Sequence, residues 1–181
     1  MKAFWIRMLL PFYIVVVYLS LGTTGVSAQL NASHQSGTVV FAGQHAGMNF
    51  EGAFERWQAI LVLPPQSEPS VTATFYLNSA KTGDSIYDST LAEFDWFDVE
   101  NHGAGHFFST KVEVNQDGYQ VWGNLTLKDI TKPINFMMID NGDKLIAHFD
   151  INRLDYQIGL ESDPDAEWVS KSITISMVIN K

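Results

Sequence analysis

The chain has 181 residues, no cysteine and a formal net charge of −9 at neutral pH. Without cysteine there is no disulfide framework, no thiolate metal site and no lipid-anchored cysteine. So negative a balance disfavours nucleic acid and anionic membrane surfaces as partners.

Lys2 and Arg7 flank the start of an apolar run from Met8 to Leu21, and Val26-Ser27-Ala28 has the small-residue spacing of a signal-peptidase site. The expectation is a secretory signal peptide, residues 1–28, cleaved after Ala28. The alternative, a membrane anchor, is disfavoured because the run falls short of the roughly 20 residues that span a bilayer and contains Pro11. Residues 29–181 then form one exported domain, long enough to bury its own core.

The segment Gln29–Gly37 is polar and reads as a loose tail. From there the pattern is almost wholly β. Thr38–Gln44 is a short apolar run. Within 50–63, Trp57, Ala59, Leu61 and Leu63 share one face, and Pro64-Pro65 then breaks the ladder. Val71, Ala73, Phe75 and Leu77 alternate with polar residues. The segment Ser89–Phe94 fits one or two helical turns, capped by Asp88 or Ser89. Phe108, Thr110, Val112 and Val114 share a strand face, and Asn115-Gln-Asp-Gly118 has hairpin chemistry. Tyr119 to Leu127, Ile134 to Met138, Leu145 to Ile151 and Ile173 to Ile179 complete the set. About eight strands with tight turns predict an all-β antiparallel barrel or sandwich with one or two short helices.

The segment 91–109 concentrates Phe94, Trp96, Phe97, Phe107 and Phe108 among carboxylates, with Gly103 and Gly105 marking a turn. Such a stretch either plugs the end of a β core or helps to line a cavity. Chemistry is otherwise sparsely signalled. The five histidines match no zinc spacing, and glycines between His102 and His106 disfavour a helix, so no metal site is expected. Asp95, Asp98 and Glu100 could form an acid/base pair, but no nucleophile stands with a base and no phosphate-binding loop is present, so an enzyme is not expected. Arg153 and Asp155 read either as a structural ion pair or as a cation awaiting an anionic head group.

Four motifs in order carry a family resemblance. They are Phe41-x-x-x-His45-x-Gly47 with Phe50-Glu-Gly-Ala-Phe54; Thr82-Gly-Asp84 leading to Asp95-Trp-Phe-Asp-Val99; Gly123-Asn-Leu-Thr-Leu127 with Thr131-Lys-Pro133; and Asn152-Arg-Leu-Asp-Tyr-x-Ile-Gly159. With them the chain resembles the YceI-like family of lipid/polyisoprenoid-binding domains. The Asp95-Trp-Phe97 run and the loop Asp163–Trp168 look like its cytochrome b561-associated subset.

The resemblance implies an eight-stranded, lipocalin-like antiparallel barrel with an apolar tunnel, periplasmic location, and a long isoprenoid ligand such as a polyprenyl chain or quinone. It implies no cofactor. A membrane cytochrome partner and a homodimer are further expectations. The alternatives are an acidic module that docks a membrane partner, and a small barrel enzyme acting through His45 and a carboxylate. Departures fall where the family often has arginine (here Tyr87), histidine (Thr90), proline (Gly103) and His-Gly (Lys128-Asp129). The first two remove polar groups expected near the tunnel mouth, and with them support for a phosphate head group.

A polyprenyl chain is held by removal of its apolar surface from water, so inward-alternating residues must leave space. The expected tunnel residues are Phe41, Phe50, Trp57 and Phe75 from the first strands, and Trp96 and Phe97 from the aromatic stretch. The later strands would add Phe108, Val121, Leu125, Phe136, Met138 and Phe149. Gly123 would widen the tunnel. His45, Arg153 and Asp155 are the expected polar rim.

Overall fold

A computed structural model describes residues 28–181. The expected signal segment lies outside these residues, apart from Ala28. Eleven strands form one antiparallel sheet: β1 (Gln29–Ser33), β2 (Gly37–His45), β3 (Met48–Phe54), β4 (Trp57–Val62), β5 (Ser70–Tyr76), β6 (Ala80–Lys81), β7 (Ala104–Asn115), β8 (Gly118–Leu127), β9 (Ile130–Asp140), β10 (Lys144–Asn152) and β11 (Ser172–Asn180). One helix, α1 (Ser85–Ala92), lies between β6 and β7. The spatial order is β1-β4-β5-β7-β8-β9-β10-β11-β2-β3-β6. The sheet curls on itself around a single apolar core, and its terminal strands β1 and β6 do not pair with each other.

Strand number exceeds the expected eight for local reasons. The predicted tail contains β1, which pairs with β4 and buries Ala32. The stretch read as one strand over 50–63 divides at Glu55-Arg56, so β3 joins β2 while β4 joins β5. The two-residue β6 adds a short edge beside β3. Tight turns set the register elsewhere. Ala46 and Gly47 link β2 to β3, and Lys128 and Asp129 link β8 to β9, all with positive φ, the two-residue geometry that matches strand twist.

The inward faces are those the alternation predicts over most of the sheet: Trp57, Ala59 and Leu61, then Leu125 and Leu127, then Phe136 and Met138 are all buried, and the apolar run of β2 adds Val39 and Phe41. Each such side chain contributes roughly 1.5–3 kcal/mol by leaving water, the stabilisation available to a domain with no disulfide. The exception is β7. A bulge between Ser109 and Lys111 shifts its register against β8. Before the bulge the odd residues Gly105 and Phe107 face inward, and after it Val112 does. Phe108 therefore points outward, cross-strand from Thr72 and Asn124, and is 56% exposed. Its assignment to the tunnel wall fails for that reason.

Helix α1 starts earlier than predicted. Asp84 is its cap, accepting hydrogen bonds from the backbone N–H of Ile86 and Tyr87. Asp88, one of the two expected caps, instead accepts from the N–H and hydroxyl of Thr82, closing the turn before the helix, and Ser89, the other, lies within the helix.

Candidate functional site

The interior of the curled sheet is not filled. It holds a narrow apolar cavity of about 120 Å³. Residues from β2 to β5, from β7 to β11 and from the aromatic stretch form most of its wall, and every side chain in that wall except Arg153 is apolar. Ten expected tunnel residues border the space: Phe41, Phe50, Trp57 and Phe75; Trp96 and Phe97; Leu125, Phe136, Met138 and Phe149. Phe136 and Phe149 stack with centroids 4.7 Å apart, a flat panel of the wall.

Two expectations do not hold at the wall. Val121 faces inward at 0% exposure but is packed away from the free space, as plain core. Gly123 does not widen the cavity, because the ring of Phe107 fills the room it leaves: a Cβ there would collide with Phe107 Cζ. Sequence reading missed the many aliphatic wall residues of β11, Ile173, Ile175, Met177 and Ile179, although their alternation was visible.

The aromatic stretch both caps and lines. Leu91, Trp96 and Phe97 border the cavity, while Asp95 ties the stretch to the loop after β10. The Asp95 carboxylate accepts from the backbone N–H groups of Glu161 (2.8 Å) and Ser162 (2.9 Å) and from the Ser162 hydroxyl. Its backbone carbonyl accepts from Gly159 N–H. Burial pushes the Asp95 pKa up, but these hydrogen bonds and the Lys128 charge outweigh it, and the carboxyl sits below its usual value. Lys128 spends its ammonium on three carbonyl oxygens, those of Phe94, Asp95 and Gln157.

Arg153 is a brace, not a free rim cation. It is 2% exposed and donates to the carbonyl oxygens of Ile158, Gly159, Asp163, Val169 and Ser170, and to the Asp163 carboxylate at 2.6 Å. These acceptors occupy all the guanidinium donors. Its stem and plane pack beside Trp96, 5.7 Å from the ring centroid. Asp155 is not its partner: that carboxylate is exposed, accepts from Asn152, and borders neither the cavity nor its mouth. The pairing with Asp163 was not legible because it spans ten residues of irregular loop.

The mouth lies between α1 and the end of β2. There His45, Thr82, Ile86, Tyr87 and Thr90 surround a vestibule, and Phe50, Leu91, Trp96 and Val169 border both vestibule and cavity. His45 Nδ1 and the Tyr87 hydroxyl are 2.7 Å apart, with rings in edge-to-face contact. Whichever of the two donates, the pair keeps one free donor and one free acceptor. No carboxylate partners His45, so the acid/base arrangement through His45 does not form. Among the described residues no cluster of three or more His, Asp or Glu side chains is placed to hold a metal ion. His102 instead approaches Asp98 and Asp129, and His106 approaches Thr74.

A curled antiparallel sheet around an apolar cavity, with few polar groups at one mouth, is the architecture of a β-barrel-type binding protein for apolar molecules. Residues 29–180 match the YceI-like domain, and the chain belongs to that family. A UPF0312 protein of Pectobacterium atrosepticum is 26% identical over 147 residues, 75% of this chain and 74% of that one. One from Photorhabdus laumondii is 30% identical over 129 residues, 63% of this chain and 67% of its own. Among solved structures, Burkholderia cenocepacia BcnA superposes with a TM-score of 0.74 at 22% identity, covering 83% of this chain and 99% of BcnA. A polyisoprenoid binding domain from Saccharophagus degradans gives 0.59 at 14% identity, covering 83% and 96%. These likenesses establish a shared fold.

Proposed function

We propose that the protein is an exported, periplasmic carrier or sensor that holds a long apolar ligand of isoprenoid type, a polyprenyl chain or quinone, inside its curled sheet. The observation that carries this reading is the unfilled apolar interior. Protein cores pack to crystal density, and a domain that could fill its interior with side chains but leaves this space is built to hold something else there. The wall offers nothing to a polar solute and much to a hydrocarbon chain, whose burial contributes roughly 25 cal/mol per Å² before ordering costs. The naming of the Saccharophagus relative as a polyisoprenoid binding domain supports the ligand class. The small-residue site ending at Ala28 supports export.

Binding is favoured over catalysis because the polar groups at the mouth are a histidine–tyrosine pair and two threonines, and the Asp88 carboxylate beside Thr82 is taken up by Thr82 and Lys81. A second role, docking against a membrane partner of the cytochrome b561 type, draws support from the exposed side chains Met48, Ile86 and Trp168 near the mouth, at 61–71% exposure. Ala46, in the turn that Met48 follows, donates its N–H to the Trp168 carbonyl, so these groups share one end of the sheet. The two roles are compatible, since a ligand with no water solubility must come from or go to an apolar phase.

Trp57 and Trp96 both border the cavity and supply the readout. Titration with a prenylated quinone should quench tryptophan fluorescence saturably, at one ligand per chain, and excess squalene should reverse it. Linear, unsaturable quenching equal to that of free tryptophan would contradict the proposal.

A further inference from the structure

Helix α1 lies over the mouth without being packed into the protein. None of its eight residues is buried, and Ile86 is 71% exposed. A helix this short does not hold its shape in water by itself, so contacts outside it must keep it in place. Its two ends are anchored. Just before it, β6 pairs with Ala53 and Phe54 of β3. At its other end the carbonyls of Leu91 and Ala92 accept from the N–H groups of Phe97 and Val99. Between β6 and the helix stands Gly83 at φ +83°, a left-handed backbone with open space where a side chain would project.

The span between these anchors is held differently. Asp88 turns back to Thr82 and Lys81, and the Ser89 hydroxyl to the Ile86 carbonyl, contacts that stay within the segment. Among the described residues one hydrogen bond joins α1 to the opposite rim, that of the Tyr87 hydroxyl with His45 Nδ1 at 2.7 Å. His45 is fixed on the sheet, opposite Met48 of β3 and bridged to Val169. Leu91 is the one residue of α1 that borders both vestibule and cavity, so the helix places an apolar side chain in the throat between them.

Taking as given that an apolar ligand enters this cavity, we propose that α1 is a lid. Tyr87 and His45 form its latch, Leu91 is its plug, and the ligand passes when the latch parts and the helix rocks outward between Gly83 and Glu93. Segments with few buried contacts are those that open first, and lids of this kind move in microseconds to milliseconds. The latch stands outside the cavity wall, so it sets the rates of entry and exit and leaves their ratio to the wall.

The absence of native cysteine makes the test clean. In the double variant His45→Cys, Tyr87→Cys the only thiols face each other across the mouth, and a short bis-thiosulfonate crosslinker that reductant cleaves can close them. Uptake of a prenylated quinone is followed by tryptophan quenching in stopped flow, with crosslinker-treated wild type as the control. Uptake should be about tenfold slower or more in the crosslinked variant than in the same protein after reductant, and quinone loaded before crosslinking should stay trapped. Tyr87→Phe keeps the ring against His45 and removes the hydroxyl. It should speed entry and exit together by about three- to tenfold, the range for one hydrogen bond. This arm stands even if the double variant fails to fold. Equal rates in crosslinked and reduced protein, or Tyr87→Phe exchanging at the wild-type rate, would overturn the lid and leave the carrier reading standing. A rise in the exit rate alone would overturn it as well, because Tyr87 would then be a contact to the bound ligand. Wild type that takes up no quinone would overturn both.

Discussion

Arg153 Nη2 lies 2.6 Å from Asp163 Oδ2, and both side chains are sealed from solvent, at 2% and 5% exposure. The pair ties the start of the turn after β10 to the loop that returns to β11, and Trp96 rests against it. Arg153→Met keeps the volume of the stem but strands the Asp163 charge. It should cost about 3–5 kcal/mol of stability, as breaking one half of a buried pair does. Chemical denaturation read by far-UV circular dichroism measures the loss. A midpoint unchanged from wild type would show that the brace is dispensable.

The same loop sets an acid limit. Burial raises the Asp163 pKa, but the N–H groups of Val169, Trp168 and Glu167 and the Arg153 charge outweigh it, so the carboxyl is held below its usual value. Asp95 is lowered too, against burial, by its bonds to Ser162 and Glu161. A carboxyl depressed in the folded state contributes stability above its unfolded value, near 4, and that contribution disappears as pH falls through the folded value. The melting temperature should therefore be level down to about pH 5 and fall steeply below about pH 4. Asp163→Asn should melt lower at neutral pH and show a shallower acid limb. Parallel limbs in the two proteins would refute the assignment.

Gly123 and Phe107 form a second coupled pair, since the ring occupies the place of a side chain on β8. Gly123→Ala should destabilise by about 1–3 kcal/mol through overpacking. Adding Phe107→Leu should recover part of that loss, giving a favourable coupling in a double-mutant cycle. Strictly additive effects would contradict the contact.

The register of β7 bears on ligand uptake. Ile175→Trp places bulk in the cavity and should reduce uptake of a prenyl quinone by tenfold or more, in rough terms, for about 1–3 kcal/mol of strain. Phe108→Ser, on the outer face, should leave uptake unchanged. If Phe108→Ser abolished uptake and Ile175→Trp did not, the inward and outward faces would be reversed.

What the sequence revealed and concealed follows from the range of the forces involved. Alternation in β4, β5, β8 and β9 identified the inward face, because period two follows from the pleat alone. The resemblance carried by Asp95-Trp-Phe97 and Asn152–Gly159 supplied topology that alternation could not. The bulge at Ser109–Lys111 has no local signal such as glycine, so Phe108 was placed on the wrong side. Arg153 was legible as a candidate, but its true partner, Asp163, is fixed by loop packing. The His45–Tyr87 contact joins positions 42 residues apart, on β2 and α1, and no spacing rule connects them.

Native mass spectrometry of protein purified without detergent shows whether the cavity holds a long apolar molecule. The prediction is a discrete adduct at one ligand per chain, with an isoprenoid fragmentation pattern after extraction. A bare mass that stays bare after incubation with a prenylated quinone would contradict the claim.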